Sequence, residues 1–376
     1  MKIVDVGAVL LKPVGWVLVK VRTDEGIVGI GEAYHGAGVH HIAVDERLTQ
    51  RALIGQDPRN VDKLFRDMKT SMSASGYYQG AVMSAISGIE MALWDITGQA
   101  IGVPIWQLLG GAYRNSIRMY NDCHAGEEND NPESWAAKAK MVENRGFDAI
   151  KFDIDPRPTR RDDYNRTMSN SDIAFHIEVV TAIRESLRPE TDLLIDAHWA
   201  YAPHDILKVA YALEKLDLMW LEDPIPAENI AALKEVKMAT RTPICTGENL
   251  YTRHGFRELI ETQAVDIISP DLAKAGGLSE GRRIADLADI YYVPISPHNI
   301  CSPIGTVAMC HVCAASPNFQ VLEFHHLDNQ LWNTLTVERD LITNGHIALP
   351  QSPGLGITLD ESVARKASRE DLGFFK

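Results

Sequence analysis

From about residue 116 the chain alternates short apolar runs with segments whose apolar residues fall three and four apart, the pattern of parallel strands joined by helices. Eight runs qualify as strands: Ser116 to Asn121, Ala149 to Ile154, Asp192 to Ala197, Leu218 to Glu222, Pro243 to Gly247, Val265 to Pro270, Tyr292 to Pro297 and Gln320 to Glu323. Eight such strands predict a closed barrel. Pro132 to Asn144, ahead of Gly146, and Leu278 to Ala288 read as helices between them. Before residue 116 strands come first and helices follow. Val4 to Val21, broken by Lys12, Pro13 and Gly15, reads as a strand pair, and Asp24-Glu25-Gly26 turns Trp16 to Arg22 back onto Ile27 to Glu32. Gly29-Ile30-Gly31 belongs to the latter strand, because no third glycine opens a helix where a dinucleotide loop requires one. Val82, Ile86, Ile89, Leu93 and Ile96 mark an amphipathic helix, and Pro104 starts a short one that Gly110-Gly111 stops.

After Glu323 the alternation ceases. Asn344-Gly345 marks a hairpin turn between Leu341 and Leu349, and Pro353 to Ile357 with the final residues is expected to pack back on the N-terminal unit. The organisation predicted is an α/β protein: an α+β capping domain over 1–115, a barrel over 116–328, and a return over 329–376 that completes the cap. The 376 residues suit one barrel of about 250 residues with a smaller domain. Asp155 to Asn170 is too long and polar for a plain strand-to-helix loop, and reads as a lid, a subunit contact or surface decoration.

A formal net charge of -14 disfavours nucleic acid and anionic membrane as partners, and means that an anionic substrate needs a local positive centre such as a metal. The first apolar run is too short and interrupted to span a bilayer and lacks a cleavage signal, so a cytoplasmic protein is expected. Five scattered cysteines fit a reducing compartment. Cys310-His-Val-Cys313 has no second pair, and reads as a packed helix face.

Candidate chemistry sits at the strand ends. In Leu193-Leu-Ile-Asp-Ala-His-Trp199 an apolar run closes on Asp196 and His198, two apart and so projecting together from the strand's C-terminal end. Taken alone, an ordinary polar turn is the better explanation. The pattern recurs, however: Glu222, Glu248, Asp271, His298 and Glu323 end or follow successive strands, and Lys151 stands on the second. Three carboxylates on adjacent strands supply the all-oxygen set that Mg²⁺ takes. Zinc is disfavoured, because no His-x-His pair ends the first strand and only His124 follows it.

The ordered set Lys151, Asp196, Glu222, Glu248, Asp271, His298 and Glu323 resembles that of the enolase superfamily, mandelate racemase subgroup, and the likeness covers nearly the whole chain. The resemblance implies a modified TIM-type (β/α)7β barrel beneath an α+β cap, a homo-oligomer, and Mg²⁺ on Asp196, Glu222 and Glu248. It also implies a base formed by His298 with Asp271. Lys151 would add positive charge to the enediolate formed when a carboxylate's α proton leaves, and Glu323, if protonated, would donate a hydrogen bond to it. His198, two residues after the first metal ligand, resembles the arrangement in galactonate and some mannonate dehydratases, and would protonate a departing β hydroxyl.

Asp153 stands where the subgroup's second lysine of Lys-x-Lys would supply an opposing base, which favours dehydration over racemisation. Lys274 matches a lysine of the muconate lactonizing branch, but this chain keeps the histidine which that branch lacks, so Lys274 reads as structural or a minor electrostatic contributor. Substrate contacts are expected from Trp16, Tyr34, His35, Tyr77 and Tyr78 in the cap, and from Asp153. Arg160 and Arg161 could pair with a second carboxylate and favour an aldarate over an aldonate. The function expected is an acid sugar dehydratase giving a 2-keto-3-deoxy sugar acid. The alternatives are an epimerase or cycloisomerase using the same enediolate, and a non-catalytic sugar acid binder that keeps its metal.

Overall fold

The structure, a computed structural model, describes residues 1–123, 131–156 and 166–375. Three antiparallel strands open the chain: β1 (Ile3–Leu11), β2 (Trp16–Thr23) and β3 (Val28–Ala33), in that order. Strand alternation splits β2 between two cores, because both of its faces are covered. Val17, Val19 and Val21 join Ile86, Ile89 and Leu93 of the Gly80–Ile101 helix, whereas Trp16 and Leu18 join the core shared with the barrel.

Gly29 and Gly31 permit that helix to lie on the sheet. A Cβ on Gly29 would strike the carbonyl of Ala92, and one on Gly31 the carbonyl of Gly88. The Gly-Ile-Gly run is thus a close-packing site within β3, and the strand reading of it stands.

The barrel runs through β4 (Ser116–Cys123), β5 (Ala149–Asp153), β6 (Asp192–Asp196), β7 (Trp220–Glu222), β8 (Ile244–Thr246) and β9 (Ile267–Ile268), each parallel to the last. Its eighth strand, β10 (Leu322–Phe324), pairs with β4. The expected strand Tyr292 to Pro297 is corrected here. Only Ile295 bridges to both neighbours, at Ile268 and Phe319, and Tyr292 is exposed with φ 57. The reason is chemical: Pro294 and Pro297 lack the N–H groups a ladder needs.

The tail serves both units. The hairpin of β11 (Ile342–Thr343) and β12 (His346–Ala348), turning at Asn344 and Gly345 in left-handed conformation, adds to the barrel at β4 rather than to the cap. Farther on, Leu355 N donates to Asp95 (2.9 Å), Lys12 N to the Ala367 carbonyl (2.7 Å) and Arg369 N to that of Leu10 (2.8 Å), which ties the tail to the N-terminal strands and helix.

Buried cap carboxylates secure the seam to the barrel. Glu32 accepts from the backbone N–H groups of Ser302 and Gly305 at the start of the Pro303–Ala315 helix, and Glu90 from those of Leu278 and Ser279 at the start of Gly277–Ile290. Burial pushes each up to about 7. Cys310 and Cys313 are free and buried on a packed helix, as the sequence suggested. Among the described residues no helix is long and apolar enough to cross a membrane.

Candidate active site

The barrel interior is layered by strand alternation. Tyr120, Ala149, Leu194, Trp220, Cys245 and Val321 form an apolar plug. Two residues farther along their strands, on the same side, stand Asp122, Lys151, Asp196, Glu222 and Glu323. A charged floor therefore rests on a packed one, at the strands' C-terminal ends.

Lys151 is the centre of that floor. Its Nζ lies 2.8 Å from Glu323, 3.1 Å from Asp196, 3.2 Å from Glu222 and 3.4 Å from Asp122. Burial alone would lower its pKa, but these carboxylates outweigh burial and hold it charged, well above the ordinary lysine value. Burial opposes ionisation of Asp196 too, and there Lys151 and His198 bring the net shift below the usual range. Glu222 is pushed up to about 8, chiefly by burial, with Asp196, Glu323 and Glu248 adding repulsion against the opposing pull of Lys151.

Asp196, Glu222 and Glu248 bring ligand atoms within 4.8 Å of one another, all buried. Glu222 Oε1 is enclosed with no hydrogen-bond partner among the described residues. An orphaned buried oxygen in an all-carboxylate set, with acidic charge in excess of Lys151, fits a hard divalent cation.

Each end of this triad carries an imidazole. Beyond β8, His298 Nε2 is 3.3 Å from Glu248, while its Nδ1 is 2.8 Å from Asp271, which is itself fixed by the N–H of Ala273 (2.8 Å). Burial lowers the pKa of His298, but Glu248, Glu323 and Asp271 overcome it and raise it to about 9. At the other end His198 Nε2 lies 3.7 Å from Asp196. The strand stops at Asp196, so alternation is not what aims His198. It follows in a left-handed turn (φ 42, with Trp199 at φ 55), held by its own N–H on Asp196 (2.8 Å) and by Trp199 N on the Asp223 carbonyl (2.8 Å). That correction to the strand argument leaves the expected juxtaposition in place.

Lys274 packs on the His298 side, with Nζ 3.1 Å from Asn249, 3.8 Å from Glu248, 3.9 Å from Asp271 and 4.1 Å from the centre of the Tyr34 ring. Tyr34 thus reaches the barrel mouth. His35, its pKa lowered by burial and then by Lys274, feels Asp271 and His298 as well. Trp16 does not line the mouth: it is 2% exposed, its Nε1 donates to the Ile300 carbonyl (3.0 Å) and its ring meets His326 edge-on. Its burial follows from the covered second face of β2, and it is corrected to a packing residue. The ring contacts of Tyr77 are to Tyr78 and Lys69, inside the cap. Asp153 is buried beside His198. Arg160 and Arg161 lie outside the described residues, as do His124 and most of the long connection.

Sequence reasoning missed three acids. Asp122 touches Lys151 and also His325 (3.2 Å), and could have been found from its parity with Tyr120. Asp223, fully buried, accepts from the Thr246 hydroxyl; burial and its acidic neighbours hold its pKa well above the ordinary range. Asp155 bonds His198 Nδ1 at 2.8 Å, and no spacing rule signals it.

Comparison with known proteins agrees with this architecture. The profile described as "Enolase C-terminal domain-like" matches residues 134–363, and that described as "Mandelate racemase / muconate lactonizing enzyme, N-terminal domain" matches residues 8–110. The chain belongs to the mandelate racemase/muconate lactonizing enzyme family of the enolase superfamily. Within it, a D-xylonate dehydratase of Haloferax volcanii is 46% identical across 92% of this chain and 83% of its own length. A D-galactonate dehydratase of Ralstonia pickettii is 30% identical across 95% and 92%. A crystal structure of a mandelate racemase/muconate lactonizing enzyme-like protein from Rubrobacter xylanophilus superposes with a TM-score of 0.95 at 42% identity, covering 100% of this chain and 99% of that one. The family's barrel and cap are those described above.

Proposed function

We infer that this protein is an acid sugar dehydratase, and that its substrate is an aldonate, D-xylonate being the first to try. The observation that carries the reading is the bracketing of one carboxylate triad by two histidines, His298 at Glu248 and His198 at Asp196. The names of its relatives, D-xylonate and D-galactonate dehydratases, support the same reaction class.

Asp196, Glu222 and Glu248 would hold the metal, which we assign as Mg²⁺ from the all-oxygen donors. When bound, it supplies positive charge to the substrate carboxylate and so acidifies the α hydrogen. His298 in its neutral form, with Nδ1 fixed by Asp271, takes that α proton on Nε2. Lys151, 2.8 Å from Glu323, would lend positive charge to the carboxylate oxygens on which charge accumulates, and Glu323 in its protonated form would donate a hydrogen bond to them. The electron pair left at Cα then forms the Cα–Cβ double bond as the bond from Cβ to its hydroxyl breaks. His198 gives a proton to the departing oxygen, which leaves as water, and the enol becomes the 2-keto-3-deoxy acid. Solvent returns a proton to His198 and removes one from His298. Lys274 shares Glu248 and Asp271 with His298, so it stands beside that base and supplies no opposing one.

The test is a panel of aldonates and aldarates incubated with enzyme and Mg²⁺ in D₂O. The wild type should form keto product from an aldonate. His298→Asn should abolish both α-deuterium exchange and product, while His198→Asn should retain exchange and lose product by about 100-fold or more. Exchange without product in the wild type would instead favour an epimerase or cycloisomerase, and neither with any acid would overturn the reading.

A further inference from the structure

His298 has a partner that fixes its ring, and the site contains a second pair of the same form. We propose that Asp155 is the positioning residue for His198, holding Nδ1 so that Nε2 faces the triad, and that it governs elimination without governing proton abstraction. The proposal rests on the dehydratase reading above.

Asp155 Oδ1 lies 2.8 Å from His198 Nδ1, as Asp271 Oδ2 does from His298 Nδ1. With Nδ1 so held, His198 Nε2 is left facing Asp196 at 3.7 Å. A ring nitrogen held by an acceptor defines which nitrogen remains for chemistry. Asp155 lies two residues beyond β5, yet its backbone is not loose. Ile154 N donates to the Asp196 carbonyl (2.7 Å), and the Ile154 carbonyl accepts from the hydroxyl of Tyr201, which in turn meets His176 at 3.1 Å. Tyr201 and His176 are buried. The residue that holds His198 is therefore itself held, from the same strand end that bears the metal ligand. A rigid support of this kind is what an acid aimed at a leaving group needs.

The pairs differ in access. Asp271 is enclosed, whereas the Asp155 side chain is 52% exposed and that of His198 34%. The enclosed pair suits abstraction from carbon; the open pair suits an acid that regains its proton from water each turnover.

The experiment compares wild type, Asp155→Asn and Asp155→Glu in D₂O with the aldonate that the wild type dehydrates. Asp155→Asn should keep α-deuterium exchange within about threefold of wild type and lose keto product by about 100-fold, with Asp155→Glu restoring part of it. Parallel loss of exchange and product, or loss of neither, overturns the proposal. Should no aldonate turn over, the dehydratase reading fails separately, and ¹⁵N-labelled histidine decides this one. The hydrogen-bonded Nδ1 proton of His198, assigned with His198→Asn, should be a strongly deshielded resonance that vanishes in Asp155→Ala. Persistence of the resonance there overturns the proposal.

Discussion

Glu222 is where the needs of the fold and those of the site diverge most. One of its oxygens bonds Lys151 and the Trp220 indole (3.0 Å), and the other is buried without a partner, at a cost that only a cation would offset. Glu222→Gln keeps the shape and removes a carboxyl that burial holds protonated up to about pH 8, a cost to the native state that the unfolded chain does not bear. The metal-free variant should therefore melt a few degrees above the metal-free wild type at pH 7, while Mg²⁺ affinity falls by more than about 100-fold. Paired calorimetric melts and metal titrations check both. The strand-end acids were legible in the sequence because a period of two assigns each to one side of its strand. Asp155 was not, because its partner comes from a neighbouring strand after both strands have ended. Nor was the burial of Trp16, which depends on what covers the second face of β2.

At the scale of elements, β3 and the Gly80–Ile101 helix approach closely through Gly29, Gly31 and Gly88. Rigid backbone atoms, not flexible side chains, bound the space at Gly31. Gly31→Ala should destabilise the protein by about 3 kcal/mol or more, as overpacking does when backbone must shift. A lowered urea midpoint checks this. If the cap also loses its fit on the barrel, Tyr34 and His35 should withdraw from the mouth and KM should rise. The helix was visible from its apolar spacing alone, whereas the closeness of its seat was not, since glycine in a strand signals close approach without naming the neighbour. The seventh barrel strand shows the converse limit. Its apolar run was readable, but two prolines reduce it to a single bridging residue.

Across the whole molecule, His311 joins three parts. On the Pro303–Ala315 helix it accepts the N–H of Trp106 on Nδ1 (3.2 Å) and donates from Nε2 to the Leu355 carbonyl (3.1 Å), an arrangement open only to the neutral ring. Burial pushes its pKa down to about 4. The native protein then holds fewer protons here than the unfolded chain between pH 6.5 and 4, so stability is complete above this window and declines as pH falls through it. The loss through this group is on the order of 3 kcal/mol. His311→Gln, which can both donate and accept, should flatten the fall in urea midpoint between pH 7 and pH 4. An unchanged slope would remove His311 from that role.

The tail's attachment to β1 has a consequence in time. Leu11 bridges to Ser368, and Leu10 accepts from Arg369, so one of the first strands made meets its partner only after the whole barrel has been synthesised. At ribosomal rates the cap's sheet waits roughly 20–70 s for that contact. For most of this interval the catalytic floor is unfinished as well, since Glu323 lies on the last barrel strand, and the roof's sheet stands without its clasp. Nascent protein is thus exposed to proteases and chaperones at the cap for as long as the barrel takes to be made.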